Sequence, residues 1–244
     1  MSVLSEIISN KLKEVDERSV IVPLSRLKDT QRLFSMRDFK QSLLSDSIQV
    51  IAEIKKRSPS NNSINLSADP LKIAASYQKN GACSISVLTD QKYFGGHIDL
   101  IRKVKNITSV PILRKDFIVS EYQVWESFYC GADAILLIVD AIDYQLLVDL
   151  YQLAKELDLH VLVESHSIES LNLINNLKPE IVGINCRNLK TMETDIKWFE
   201  EVFDMLPSSA IKIAESGVSS VDDLLYISSL GYNAALIGTS LMSK

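Results

Sequence analysis

Cysteine and histidine are scarce in this chain. Its three cysteines, Cys83, Cys130 and Cys186, are too few and too scattered for a disulfide framework, and we interpret them as buried free thiols of a reducing compartment. The three histidines form no cluster with a cysteine at metal-ligand spacing, which argues against a structural zinc site. With 46% hydrophobic residues, we expect the fold to be held by its core.

Long apolar segments and an excess of positive charge are also absent. No apolar run approaches the ~20 residues of a membrane span. The N-terminal segment carries a charge every few residues and lacks the apolar stretch of a signal peptide. The net charge of −5 argues against a nucleic-acid partner. We therefore expect a cytoplasmic protein that binds neither membranes nor nucleic acid.

Short apolar runs alternate with helical segments along the chain. The runs are apolar on both faces, as in a parallel sheet that is covered on both sides. They span residues 49–54, 83–89, 110–113, 134–139, 160–165, 180–185, 211–216 and 234–238. Serine before a helix and glycine after it mark three of the helices between them, from Ser67 to Gly81, from Ser120 to Gly131, and from Ser219 or Ser220 to Gly231.

This α/β alternation predicts a (β/α)₈ barrel, the TIM barrel fold. An open doubly wound sheet is the alternative, but it usually has a G-x-G-x-x-G turn after its first strand, and no glycine follows Glu53 here. We predict one domain over residues 1–244, of which 1–48 form an extension of one or two helices. Six residues follow Gly238, too few for the ~10-residue outer helix, so we expect a short or missing last helix.

Charged and polar side chains follow the ends of the predicted strands, where the active sites of such barrels lie. For any one of them a solvated surface charge is the commoner explanation. However, Glu53, Glu164 and Glu215 lie at or next to the last residue of three different strands, whereas the residues that enter these strands are mostly Gly, Ala, Pro, Ser or Asn. The grouping predicts a site that comprises Glu53, Lys55, Lys115, Glu164, Asn185, Arg187, Glu215, Ser216, Gly238 and Thr239.

The stretches IAESGVSS and LIGTSLM place glycines beside small hydroxyl residues after the last two strands. Backbone N–H groups at such turns bind anions, and many barrels bind a phosphate there. Gly217 and Gly238 are alternatively needed only for tight turns, but two such turns on adjacent strands favour phosphate. Lys55 adds a positive charge from the neighbouring first strand.

The stretch VPILRKDF (110–117) passes directly from apolar residues to Lys115. A lysine in a barrel mouth acts as a Schiff-base nucleophile or as a proton donor. A nucleophilic lysine must be neutral, whereas carboxylates nearby favour the charged ammonium. Because three glutamates are expected around Lys115, we predict that it is a general acid and an electrostatic stabiliser.

These residues resemble those of the indole-3-glycerol phosphate synthase family. The similar stretches are IAEIKKRSPS (51–60), SVLTDQKYFGG (86–96), PILRKDFIVSEYQ (111–123), GADAILLI (131–138), VLVESH (161–166), GINCRNLKT (183–191), AESGV (214–218) and IGTSLM (237–242). The N-terminal VLSEIISNKLKEV resembles the family's extension, so the resemblance covers nearly the whole chain. It implies a barrel enzyme that closes the pyrrole ring of indole in tryptophan biosynthesis.

The resemblance implies the substrate 1-(2-carboxyphenylamino)-1-deoxyribulose 5-phosphate, which loses CO₂ and water. Lys115 matches the general acid that protonates the ketone oxygen, and Glu164 matches the acid/base group of the dehydration. Glu53 and Lys55 match residues that line the same pocket, and Arg187 matches a cation near the reacting centre. The ring-closed iminium accepts the electrons released with CO₂, so neither a cofactor nor a metal is expected.

The remaining matches concern substrate binding. Asn185 and Glu215 match polar residues that position the hydroxyls of the substrate. The family's phosphate cradle is matched by Ser216, Gly217, Gly238 and Thr239. The residues around its anthranilate ring are matched by Pro59, Phe94, Phe117 and Leu136, with Ser58 in the same loop as Pro59.

Two positions depart from the family pattern. Asn61-Asn62 stands where Lys-Gly is common, in a loop that covers the active site, and we expect this to alter loop motion and product release. Thr239 stands where glutamate or serine is commoner, which still suits a phosphate.

Two other functions are compatible with such a barrel. Phosphoribosylanthranilate isomerase would need a cysteine and an aspartate as its acid/base pair, and the first strand has no cysteine. A catalytically silent phosphate-binding barrel is disfavoured because every matched catalytic position is intact. We expect a monomer, with weak association at the surface beside the short last helix.

Overall fold

The computed structural model describes residues 3–57, 67–188 and 193–242, and these residues form a closed barrel of parallel strands. The strands are β1 (Gln49–Ile54), β2 (Ser84–Leu88), β3 (Ile112–Lys115), β4 (Ala134–Ile138), β5 (His160–Ser165), β6 (Ile181–Asn185), β7 (Ile211–Glu215) and β8 (Ala234–Ile237). Each strand pairs with the next along the chain, and β8 closes the barrel by pairing with β1. The predicted (β/α)₈ barrel is confirmed.

Three helices precede the barrel: α1 (Val3–Ile21), α2 (Leu24–Lys28) and α3 (Phe39–Ser42). The expectation of one or two helices in residues 1–48 was therefore too low. Pro23, which lies directly before α2, separates it from α1, because the residue before a proline is disfavoured in helical geometry. Asp38 begins α3 by accepting a hydrogen bond from the backbone N–H of Gln41.

Helices follow the strands in turn: α4 (Pro70–Lys79), α5 (Asp99–Ile107), α6 (Glu121–Cys130), α7 (Tyr144–Glu156), α8 (Ile168–Leu177), α9 (Trp198–Val202), α10 (Val221–Leu230) and α11 (Thr239–Met242). Ser120 and Ser220 cap α6 and α10 as predicted. The cap of α4 is Asp69 and not Ser67, since Pro70 occupies the first helical position. The described part of α11 is a single turn.

Strand β3 lies two residues further along the chain than predicted. Pro111 lacks an N–H and is not part of the strand, whereas Arg114 and Lys115 pair in register with Val87 and Leu88 of β2. The Arg114 guanidinium is fully buried on the outer face, where it donates to the backbone oxygen of Gln123 at 3.0 Å. Because successive strand residues face opposite sides, Lys115 points into the barrel.

The apolar residues form separate cores inside and outside the barrel. The inner core includes Ile51, Leu113, Leu136, Leu162, Ile213 and Leu236. The outer cores lie between the strands and the helices, and include Val163, Leu171, Val182 and Phe199 on one side and Val87, Ile101 and Val104 on another. The inner core supports the barrel mouth from below, so side chains at the strand ends are held by a rigid scaffold.

All three cysteines are free thiols. Cys130 and Cys186 are buried as predicted, but Cys83 is partly exposed, which corrects that expectation. Among the helices that the structure describes, none has the length and apolar character that crossing a membrane requires.

Asp133 fastens the N-terminal extension to the barrel. Its buried carboxylate, which stands directly before β4, forms an ion pair with Lys105 of α5. It also accepts hydrogen bonds from the backbone N–H groups of Arg37 and Ile112, at 2.8 Å and 2.9 Å, and lies 3.5 Å from Arg32. One carboxylate thus joins the extension, α5 and β3.

We predict that Asp133→Asn lowers the free energy of unfolding by about 3 kcal/mol, because it leaves the buried Lys105 without its counter-ion. Glu180→Gln is the matched control. Glu180 pairs with Lys40 and Lys155 at the surface, where ion pairs contribute about 0–1 kcal/mol. Equilibrium unfolding in urea measures the free energy of unfolding of both variants. A decrease of less than about 1 kcal/mol for Asp133→Asn would contradict this role of Asp133.

Candidate active site

A cavity of about 590 Å³ lies at the carboxyl ends of the strands. It brings together the predicted site residues Glu53, Lys55, Phe94, Lys115, Phe117, Leu136, Glu164, Asn185, Arg187, Glu215, Ser216, Gly217, Gly238 and Thr239. Ser58, Pro59 and Asn61-Asn62 lie outside the described residues. Within the described part of the chain, no group of three or more His, Cys, Asp or Glu side chains is arranged to hold a metal ion.

Lys115 lies at the centre of this cavity between two glutamates. Its Nζ is 2.5 Å from Glu164 Oε2 and 2.6 Å from Glu215 Oε2. The Lys115 side chain is 11% exposed, whereas both carboxylates are almost fully buried. Each of the three residues lies at or next to the end of its strand, Lys115 in β3, Glu164 in β5 and Glu215 in β7, so closure of the barrel is what brings them into contact.

The surroundings decide how these groups are protonated. Burial alone would lower the pKa of Lys115, but the charges of Glu164, Glu215 and Glu53 outweigh burial and raise it. Burial would raise the pKa of Glu164, but Lys115 and then His166 outweigh it and hold that pKa well below its ordinary range. Burial and the charge of Glu164 raise the pKa of Glu215. Lys115 is therefore charged, and Glu215 retains a proton more readily than Glu164.

A second ion pair lies beside β8. Lys55 Nζ is 2.8 Å from Glu53 Oε1. Gly238, which follows β8, leaves room for this pair: a Cβ there would overlap the Glu53 carboxylate and lie 3.2 Å from Lys55 Nζ. Lys55 is thus close to the backbone after β8, where the sequence predicts an anion site.

The turn after β7 has an unusual backbone. Ser216 and Gly217 both have positive φ, of 70° and 72°. Such a φ is uncommon for a residue with a side chain, so the turn is held by its surroundings. A Cβ at Gly217 would lie 2.8 Å from Cys186 Sγ, so glycine permits both this backbone and this packing.

Asn185 connects the loop after β6 to the central carboxylates. Its Nδ2 donates to Glu164 Oε1 at 3.3 Å, and its Oδ1 accepts from the backbone N–H of Arg187 at 3.0 Å. The side-chain amide is thereby oriented, and it places Arg187 on the cavity wall.

The opposite wall is apolar and aromatic. The rings of Phe94 and Phe117 are 6.2 Å apart, and Leu136 faces the same cavity. The helix α1 adds Val3, Leu4 and Ile7, so the N-terminal extension lines the cavity, which the sequence reasoning did not predict.

Buried ion pairs hold α1 in this place. Lys11 Nζ lies 2.8 Å from Asp90 and 3.0 Å from Asp116, and its side chain is 1% exposed. The spacing of residues in the sequence could have indicated that Lys11 is buried, since Lys11 falls between Ile7 and Val15 on one helical face. Asp116 directly follows Lys115, so this ion pair also fixes the end of β3.

Two further residues near the central carboxylates were missed. His166 lies two residues after Glu164, within the quoted stretch VLVESH, and lines the cavity. Gly183 of β6 is needed for space, because a Cβ there would overlap Glu215 Oε1. Neither residue type reveals such a role in a sequence, because the role depends on the neighbouring strands.

The family model described as "Indole-3-glycerol phosphate synthase" matches residues 4–244. The chain is 42% identical over 240 residues to the indole-3-glycerol phosphate synthase of Thermoanaerobacter pseudethanolicus, covering 98% of this chain and 92% of that protein. It is 44% identical over 242 residues to the one from Legionella pneumophila, covering 99% and 93%.

Among solved structures, the N-acetylmannosamine-6-phosphate 2-epimerase of Clostridium perfringens superimposes with a TM-score of 0.65. The alignment covers 87% of this chain and 94% of that one at 13% identity, which shows a shared fold alone. The family match and the two synthases, in contrast, extend over nearly the whole sequence. The chain belongs to the indole-3-glycerol phosphate synthase family.

Proposed function

We propose that this barrel mouth closes the pyrrole ring of 1-(2-carboxyphenylamino)-1-deoxyribulose 5-phosphate, with Lys115 as the general acid. Membership of the family makes the chain a carboxy-lyase of tryptophan biosynthesis, and the proposal concerns the side chains that carry the reaction. The observation that carries it is the Lys115 ammonium, which two buried carboxylates keep charged inside the cavity.

Ring closure joins the aryl carbon that bears the carboxylate to the ketone carbon of the sugar. Negative charge develops on the ketone oxygen as this bond forms, and Lys115 donates its proton there. Because Lys115 and its glutamate partners are largely buried, a fixed ammonium stabilises the developing charge more strongly than solvent would. The ring-closed iminium then accepts the electron pair that is released when CO₂ leaves.

The second half of the reaction removes water and a proton. Glu164 is held ionised and contacts Lys115, so it is placed to accept the proton and return it to the leaving hydroxyl. Glu215 and Asn185 position the hydroxyls of the substrate. Arg187, on the same wall, is directed toward the substrate's charge near the reacting centre.

The substrate's two ends would lie on opposite walls. The turns after β7 and β8 would hold the phosphate through Ser216, Gly217, Gly238 and Thr239, with Lys55 as the nearby cation. The anthranilate ring would pack against Phe94, Phe117 and Leu136, beside Ser58 and Pro59.

We predict that Lys115→Met lowers kcat by about 10²–10⁴-fold, because methionine is similar in length to lysine but donates no proton. The product's fluorescence measures turnover, and isothermal titration measures substrate binding, which should persist. Lys103→Met, at an exposed position of α5, is the matched control and should behave as wild type. Near wild-type turnover of Lys115→Met would rule out the proposed acid.

We predict that Gly238→Ala weakens binding of substrate and of inorganic phosphate together, each by about tenfold, because its Cβ displaces the Glu53–Lys55 pair. Inhibition by inorganic phosphate reports on the anion site without involving the chemical step. Gly81→Ala is the control, since a Cβ there meets nothing within 4 Å; because φ at Gly81 is +86°, which strains an alanine, circular dichroism first checks that this variant is folded. Unchanged phosphate inhibition in Gly238→Ala would place the anion elsewhere.

We expect the chain to act as a monomer in the cytoplasm, with neither a membrane nor nucleic acid as partner. Its net charge of −5 disfavours self-association. Val221 and Leu225 of α10 are 70% and 62% exposed, and they would support only weak contacts beside α11. Light scattering after size exclusion checks this, and a dimer that persists at nanomolar concentration would contradict it.

A further inference from the structure

His166 lies at the edge of the proposed reaction site without a role in the steps above. It follows the last residue of β5, and its side chain is 8% exposed and lines the cavity. A buried histidine that faces a cavity requires partners for its ring nitrogens. In this structure each ring nitrogen lies within ion-pair distance of a carboxylate, although Nδ1 makes no hydrogen bond among the described residues.

The first partner is Glu164, whose Oε1 lies 3.0 Å from His166 Nε2. The second is Asp140, in the turn after β4, whose Oδ2 lies 3.5 Å from His166 Nδ1. The same Oδ2 accepts a hydrogen bond from the His166 backbone N–H at 3.2 Å, and Asp140 Oδ1 accepts one from Ser167 Oγ at 3.3 Å. An imidazole that has a carboxylate beside each nitrogen can interact favourably with both carboxylates only when both nitrogens carry protons, which is the charged form.

The charges that face His166 act in the same direction. Glu164 approaches from β5 and Asp140 from the turn after β4, and Lys115 and Glu215 lie beyond Glu164. Burial would lower the pKa of His166, but the two carboxylates outweigh it and raise the pKa to about 9. Burial would also raise the pKa of Asp140, and the histidine more than offsets this effect.

The two carboxylate oxygens of Glu164 have different partners. Oε1 lies 3.0 Å from His166 Nε2 and accepts a hydrogen bond from Asn185 at 3.3 Å, whereas Oε2 contacts Lys115. With Oε1 held from two directions, rotation of the carboxylate is restricted and Oε2 stays on the proton donor. An additional cation on Oε1 also offsets the desolvation of the buried carboxylate.

We propose that His166, clamped between Glu164 and Asp140, is a positioning residue that keeps Glu164 ionised and aimed at Lys115. This inference rests on the proposed function, because it deepens the acid–base role assigned to Glu164. The imidazolium itself exchanges no proton with the substrate. Asp140 in turn keeps His166 charged.

The charge state is tested by NMR titration of the side chains, which is simple because the chain has three histidines. The resonance that disappears in His166→Gln identifies His166. We expect it to titrate near pH 9 in the wild type and at lower pH in Asp140→Asn, which removes the counter-charge but keeps the shape. Titration at or below the ordinary histidine value of about 6.5 would overturn the proposal.

The positioning role is tested by pH profiles of kcat. Glutamine donates a hydrogen bond to Glu164 but carries no charge, so we expect His166→Gln to have about tenfold lower kcat at neutral pH, with a smaller change in KM. As pH rises through 9, the wild type loses the imidazolium charge and should fall toward the level of His166→Gln, whose profile should lack this alkaline limb. In Asp140→Asn the limb should move to lower pH.

His97→Gln is the matched control, because His97 is 55% exposed and is not among the residues that line the cavity. It should retain the wild-type profile, and circular dichroism checks that all variants are folded. Equal kcat in His166→Gln and the wild type at neutral pH would overturn the positioning role. A wild type without turnover would instead contradict the proposed function, and the NMR titration would still decide whether the clamp exists.

Discussion

Three charge-bearing groups, the Lys115 ammonium and the carboxyl groups of Glu164 and Glu215, meet at the centre of the barrel mouth. Removing any one charged group from water costs roughly several kcal/mol, and the cost is offset only when opposite charges are held in contact. Because each group lies at or next to the end of a different strand, the contact exists only in the closed barrel. The charge state of the site therefore depends on closure, and so does the chemistry proposed for it.

A second layer of buried ion pairs supports the first from outside. Arg114 and Asp116 flank Lys115 in the chain and pair with each other at 3.1 Å, while Lys11 of α1 pairs with Asp116. The end of β3 is thus held on its outer face and by the extension. A proton donor must stay within hydrogen-bond reach of its acceptor. By holding the end of β3, these ion pairs restrict the position of Lys115 in the cavity. The extension is consequently part of the active-site architecture and also part of the cavity wall.

The mouth holds cations as well as carboxylates. The net charge is −5, yet Lys55, Lys115 and Arg187 all line the cavity. A substrate with a phosphate and a carboxylate needs such cations, and a concave wall of low dielectric strengthens their effect. The apolar wall opposite, with Phe94 and Phe117, suits the aromatic end of the same substrate. The two walls together impose one orientation on it.

Periodicity and helix caps sufficed to predict the barrel, because parallel strands buried on both faces leave continuous apolar runs, and Ser120, Gly131, Ser220 and Gly231 mark helix ends locally. The strand ends could also be predicted to within two residues, and with them the grouping of Glu53, Lys115, Glu164 and Glu215. The sequence could not reveal that Lys11 and His166 belong beside them, since Lys11 pairs with Asp90, 79 residues away, and the second carboxylate at His166 is Asp140, 26 residues away. Only the tertiary structure decided which charges pair, because pairing follows from strand register and burial, and neither is a local property.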